Sequence, residues 1–278
     1  MSPAPTDAIF SLVPAHPGRA TPLVFASPHS GGVYPEDMAA AEGLSEASLR
    51  SAEDAAVDRL LGAGAAAGAV LIAGRIGRAY VDLNRAPEEL DPALIDGVST
   101  TPPPGLKTQA GYGVIPRLAG DGTALYDRRL ALEEARGRIA RVHEPYHAAL
   151  GELMRAARDR HGRAVLVDWH SMPSRATGPN GPDVVLGDRH GTSCATDLTR
   201  RLRALFEALG WRVALNRPYA GGYATQVWGR PDEGFEAIQV ELNRRLYWDE
   251  TAGGPAVGWG RCQSGLNRVV AALGEDFA

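Results

Sequence analysis

The chain has 278 residues, 44% of them hydrophobic, and a formal net charge of −4. That length and apolar content supply the core of one large α/β domain, and the charge excludes a basic nucleic-acid footprint. Two cysteines, Cys194 and Cys262, exclude a disulfide framework and a thiolate-rich zinc site.

The opening M-S-P-A-P-T-D-A-I-F lacks the basic start and apolar stretch of a signal peptide. No segment approaches the roughly 18 consecutive apolar residues of a membrane helix, so a soluble cytoplasmic protein is expected. From the N-terminus an irregular arm runs to about residue 21 and carries a short strand over 8–13. Residues 23–26 predict the first core strand, which Gly31, Gly32 and Pro35 end in a loop. Residues 45–64 have helical character with Ser45 as cap, and 69–73 and 79–83 predict strands around the G-R-I-G-R turn. The Pro- and Gly-rich stretch over about 88–125 reads as a long loop inserted over the mouth of a site.

Residues 127–160 predict the longest helix, broken or kinked at Pro145. Strands at 164–168, 183–186 and 211–215 surround an amphipathic helix at 193–209. Residues 221–229 read as a glycine- and tyrosine-bearing loop, 237–242 as a strand ending at Glu241, and 257–273 as a helix. This alternation predicts a three-layer αβα domain over residues 1–278 with a mostly parallel sheet.

His29 and His170 each stand where an apolar run gives way to polar residues, in L-V-F-A-S-P-H-S-G-G and A-V-L-V-D-W-H-S-M-P. In open α/β sheets ligands collect at the carboxyl ends of strands. Two imidazoles delivered there can share a metal, and a catalytic zinc takes three protein groups and keeps a position for water. Asp54 and Asp58, four apart in E-D-A-A-V-D-R-L, share one face if that segment is helical. Asp54 is then the third-ligand candidate, and Asp58 a supporting group or a solvated partner of Arg59.

Arg78, Asn84 and Arg85 in G-R-A-Y-V-D-L-N-R-A-P offer a planar fork and an amide for an acidic substrate, or a structural pairing with Asp82. Glu241 in V-E-L-N-R-R is either a proton-transfer carboxylate or an ion-pair partner of Arg244 or Arg245. His143 and His147 in V-H-E-P-Y-H have the spacing of a helical zinc pair with a proline inside it, and are the second-ranked metal site. Ser30 and Ser171 follow the two histidines without an evident base or oxyanion donors, and no G-x-S-x-G or phosphate-binding loop is present.

In order and spacing, S-P-H-S-G, E-D-A-A-V-D-R-L, R-A-Y-V-D-L-N-R, V-H-E-P-Y-H, D-W-H-S-M-P and V-E-L-N-R-R-L-Y resemble the N-formylglutamate amidohydrolase family. The resemblance extends from about residue 23 to 248. That family is similar to zinc-dependent carboxypeptidases and aspartoacylase-like deacylases. The resemblance implies a phosphorylase/hydrolase-like (zinc exopeptidase-like) fold. It implies zinc-dependent hydrolysis of N-formyl-L-glutamate to formate and L-glutamate, a reaction of histidine degradation. The wider relatives begin their metal set with a histidine and a glutamate three residues later; here Gly32 stands at that distance from His29, which turns attention to Asp54. Their D-x-N-R clamp matches Asp82, Asn84 and Arg85, their second histidine ligand His170, and their late-strand general base Glu241.

On this reading Zn2+, one per chain, is held by His29, Asp54 and His170 and activates a water; other divalent ions also suit such ligands. Glu241 handles the proton, Arg78 helps to stabilise the oxyanion, and Asn84 and Arg85 bind a substrate carboxylate with Arg244 as second clamp. Asp168 orients His170 or simply shares its strand face. The expected partner is a small anionic N-acyl amino acid, with no nucleic acid and no membrane. Two alternatives stay open: a metal hydrolase for another N-acyl amino acid or a peptide C-terminus, and a binding module that keeps the fold without the reaction. Nothing in the sequence sets the oligomeric state.

Overall fold

The apolar runs become the strands of a mixed sheet. The computed structural model describes residues 9–278. Its strands are β1 (Phe10–Val13), β2 (Leu23–Ser27), β3 (Val70–Gly74), β4 (Ile95–Asp96), β5 (Leu130–Ala131), β6 (Ala164–Met172), β7 (Val184–Gly187), β8 (Val213–Leu215) and β9 (Phe235–Asn243). The helices are α1 (Glu46–Arg50), α2 (Val57–Leu60), α3 (Leu106–Gln109), α4 (Leu132–Arg138), α5 (Glu144–His161), α6 (Thr196–Glu207), α7 (Tyr223–Trp228) and α8 (Trp259–Asp276). Two short strands, Trp248–Asp249 and Gly254–Pro255, pair before α8.

The main sheet has the order β1-β3-β2-β6-β9-β7-β8. β2 runs parallel to β3 and β6, β6 to β9, and β7 to β8, while β7 is antiparallel to β9. This is the mostly parallel α/β sheet expected from the sequence. All nine residues of β6 and all nine of β9 are buried, as strands covered on both faces must be.

The chain divides into two compact units. One comprises residues 12–28, 54–73 and 150–278 and holds the central strands. Its core packs Leu23, Phe25, Val165, Val167, Trp169, Val240 and Leu242 of the sheet with residues of α6 and α8, including Leu202, Phe206, Leu266 and Val270. Trp169 is fully buried and meets Phe25 edge-on at 5.6 Å. Odd-numbered residues of β6 enter this core, so the two-residue period turns Asp168 and His170 to the opposite face. The other unit comprises residues 9–11, 29–53 and 74–149. Its buried centre is Arg138, which donates to Tyr126 Oη at 2.7 Å and Met38 O at 3.0 Å and lies 4.6 Å over the Tyr80 ring. Those contacts offset the cost of burying a guanidinium.

Several elements differ from expectation, each for a local reason. Residues 45–64 form two short helices, α1 and α2, separated by a turn in which Ala56 has a φ of 58°. Asp54 therefore precedes a helix and does not share a helical face with Asp58. Residues 79–83 form turns, closed by Tyr80 N–H on Gly77 O and by an Arg78–Asp82 ion pair at 2.9 Å. The 88–125 stretch contains β4 and α3 and buries Leu94, Ile95, Val114, Ile115 and Leu125. The helical run continues from α4 through a π-helical turn over Ile139–His143 into α5, so Pro145 lies inside it, two residues past the π turn, and does not break it. Residues 223–228 of the expected loop are helical. His170 lies two residues inside β6 instead of past its end, and Glu241 lies two residues short of the end of β9 instead of at it. Ala8, where the predicted opening strand starts, lies outside the described residues. Among those described, no helix is long and apolar enough to cross a membrane.

Candidate metal centre and active site

The sheet order builds the site. From β2 the chain continues to β3 on one side, and from β6 it continues to β7 on the other. The carboxyl ends of β2 and β6 thus form a topological switch point, where open α/β sheets bind ligands. Ala26 of β2 is opposite Asp168 of β6, the first three residues before His29 and the second two before His170. One ligand atom from each of His29, Asp54 and His170 lies within 4.8 Å of the other two. All three residues are buried, with at most 2% exposure. They are the residues that the sequence offers as metal ligands, and as a group they could hold a metal ion.

Each imidazole is braced by a second carboxylate. His29 Nε2 is 2.8 Å from Asp82 Oδ1, and His170 Nε2 is 3.0 Å from Asp168 Oδ2. A carboxylate only accepts, so His29 carries its hydrogen on Nε2 and has Nδ1 for a cation, whereas His170, with a carboxylate at each nitrogen, carries a hydrogen on both until a cation replaces the one on Nδ1. His170 Nδ1 already faces Asp54 Oδ2 at 2.9 Å. Burial opposes charge on His170, yet Asp168 and Asp54 at its two nitrogens raise it well above the ordinary imidazole range. The same carboxylates favour a metal cation where that second proton sits. Two imidazoles and a carboxylate, with buried groups holding them, fit a divalent ion with an open coordination position.

Asp82 is a supporting hub, not the substrate-clamp member that the D-x-N-R pattern implied. Its Oδ2 accepts from Arg78 Nε at 2.9 Å, and its Oδ1 accepts from the Asn84 backbone N–H at 2.9 Å as well as from His29. Burial alone would raise this carboxyl, but Arg78, His29 and Arg85 outweigh it and hold Asp82 well below the usual carboxylate range. Asp82→Asn is expected to weaken metal binding by about 10- to 100-fold, as removal of a ligand's supporting carboxylate typically does, which chelator competition would measure.

Asp54 is steadied on its other oxygen. Its Oδ1 accepts from Ser171 Oγ at 3.1 Å, Arg244 Nε donates to that hydroxyl at 3.1 Å, and Arg244 Nη2 is 3.5 Å from the carboxylate. The buried guanidinium of Arg244 is thereby set against the proposed ligand and offsets its charge. Sequence reasoning treated Ser171 only as a failed nucleophile; its place directly after His170 on a buried strand was the available signal.

Glu241 of β9 is the register partner of His170 in β6, so the two side chains share a face on adjacent strands. Gln239, two residues earlier on that face, donates Nε2 to Glu241 Oε1 at 2.8 Å. Gln239 was not foreseen, although a polar residue at that spacing on a buried strand implies a buried partner. Arg85 lies 3.9 Å from Asp82 and 3.5 Å from Glu89. His143 and His147 turn their Nε2 atoms to the carbonyls of Arg85 and Leu83, both at 2.8 Å, instead of forming the second-ranked metal pair.

Residues 21–248, which contain every one of these groups, match the model of N-formylglutamate amidohydrolase. The chain belongs to that family. An N-formylglutamate deformylase from Pseudomonas aeruginosa PAO1 is 31% identical over 237 residues, covering 83% of this chain and 84% of that protein. One from Pseudomonas putida is 31% identical over 244 residues, with 85% of each covered. The crystal structure of N-formylglutamate amidohydrolase from Ralstonia eutropha JMP134 superposes with a TM-score of 0.91 at 37% identity, covering 97% of this chain and 98% of that one. Helix α8 lies beyond the span matched to the amidohydrolase family and supplies core packing rather than site residues.

Proposed function

We propose that this amidohydrolase-family protein hydrolyses the formyl amide of N-formyl-L-glutamate, giving formate and L-glutamate, with zinc held by His29, Asp54 and His170. The observation that carries the reading is the cluster of three buried donors, each histidine braced by an aspartate, with Glu241 on the strand beside them. The names and coverage of the relatives supply the substrate. Zinc suits two imidazoles and one carboxylate, and when bound it supplies Lewis acidity to a water and to the formyl oxygen.

The chain's own groups do the rest. Glu241, oriented by Gln239, takes the proton of the attacking water and returns it to the departing amine. Arg78, anchored through Nε on Asp82, directs its remaining N–H groups at the negative charge that develops on the formyl oxygen. Asn84 and Arg85 receive a carboxylate of the substrate, and Arg244 offers a second cationic contact beside Asp54.

The test is formate release by the purified, zinc-loaded protein. N-formyl-L-glutamate is expected to react about a hundredfold faster than N-acetyl-L-glutamate, the scale at which a site discriminates one added methyl group. Comparable or faster acetate release would assign the chain to another deacylation. No release from either compound, nor from dipeptides, would leave a binding module.

A further inference from the structure

The V-H-E-P-Y-H segment is not used by the mechanism above, yet both of its histidines are engaged. His143 closes the π-helical turn and His147 lies one turn into α5, with their ring centroids 4.3 Å apart. π turns within helices occur frequently at functional sites. His143 Nε2 meets Arg85 O and His147 Nε2 meets Leu83 O, each at 2.8 Å. A carbonyl only accepts, so both rings carry their hydrogen on Nε2 and act as donors. Burial, with His143 alongside, pushes His147 down to about 3, and burial also lowers His143. Both rings are therefore neutral donors at physiological pH.

The residue between the two gripped carbonyls is Asn84. Its own N–H donates to Asp82 Oδ1, the oxygen that also receives His29 Nε2–H. The backbone carrying the proposed carboxylate contacts is thus fixed from two directions: by imidazoles on its carbonyls and by Asp82 on its amide. The turn's own backbone bond, Arg85 N–H on Asp82 O, is long at 3.3 Å, so side-chain donors help to set its conformation.

We infer that His143 and His147 are positioning residues, a two-pronged clamp on the Leu83 and Arg85 carbonyls that presents Asn84 and Arg85 to the substrate carboxylate. The inference rests on the reading of Asn84 and Arg85 as the carboxylate-binding pair. The full chain with His147→Phe or His143→Phe keeps the ring volume and loses the donor. The Gln variants keep an amide near the position of Nε2, whereas the Asn variants are polar but too short to reach.

Four quantities are read: kcat and KM for N-formyl-L-glutamate, bound zinc, and hydrogen–deuterium exchange of peptides covering residues 80–90. The Phe and Asn variants should raise KM about tenfold with kcat and zinc little changed, and should speed exchange; the Gln variants should restore both. Wild-type KM and exchange in folded Phe and Asn variants would overturn the clamp. So would lost kcat and zinc at unchanged KM, which marks a purely structural role. If a Phe variant does not fold, the Asn variant carries the same expectation. If the wild-type protein releases no formate, the proposed function fails while the exchange arm still decides the clamp.

Discussion

Glu241→Gln is expected to lower turnover of N-formyl-L-glutamate by about a thousandfold while the protein keeps its zinc and its fold, since loss of a positioned general base typically removes two to four decades of rate. The substitution is nearly isosteric. Gln239 can still donate to the new amide oxygen as it now donates to Glu241 Oε1 at 2.8 Å, so Gln239 keeps its acceptor. What disappears is the capacity to accept a proton from water and return it to the amine. Because Glu241 stands beside His170 in the β6–β9 register without belonging to the ligand cluster, metal content should not follow activity. Initial rates measured alongside metal analysis test this. Turnover within about tenfold of wild type would remove Glu241 from the role, because so small a loss is within the range of altered packing.

His29→Ala is expected to abolish both metal retention and formate release. It removes one of the three proposed ligands, and the remaining pair, Asp54 and His170, cannot complete a three-group zinc site. Affinity should fall by well over the roughly 10- to 100-fold typical of losing an outer supporting group. This variant is cleaner than His170→Ala. Removing His170 would take a partner from both Asp54 and Asp168, which now flank its two nitrogens at 2.9 and 3.0 Å. Removing His29 leaves Asp82 with Arg78 Nε and the Asn84 amide as partners. β2 ends at Ser27, so its core contacts are untouched and the metal-free variant should melt close to the metal-free wild type. Stoichiometric zinc retained after dialysis of the variant would count directly against the ligand assignment.

The legibility of the site followed the length of the apolar runs. β2, β6 and β9 were readable because each buries an unbroken stretch, and the polar residues interrupting or ending those stretches stood out as His29, His170 and Glu241. Asp54 was named from a helical spacing that the chain does not adopt; it is carried by the turn before α2. Asp82 was grouped with its sequence neighbours Asn84 and Arg85, whereas its carboxylate turns to His29, fifty-three positions earlier. No local pattern encodes so distant a partner. The 79–83 stretch looks like a strand by apolar content, but the Arg78–Asp82 ion pair closes it into a turn. Glycines at 221 and 222 suggested a loop through to 229, and instead they lead directly into α7. Gln239 escaped notice, and Ser171 was weighed only as a nucleophile, because a lone polar residue on a buried strand reveals its purpose only once its neighbours are placed.

Anomalous diffraction at the zinc absorption edge, from crystals of the zinc-loaded protein, tests the central claim most directly. A single strong peak is expected among His29, Asp54 and His170, on the Nδ1 side of both rings. A peak at other residues, such as the His143–His147 pair, or no peak after saturation with zinc, would contradict it.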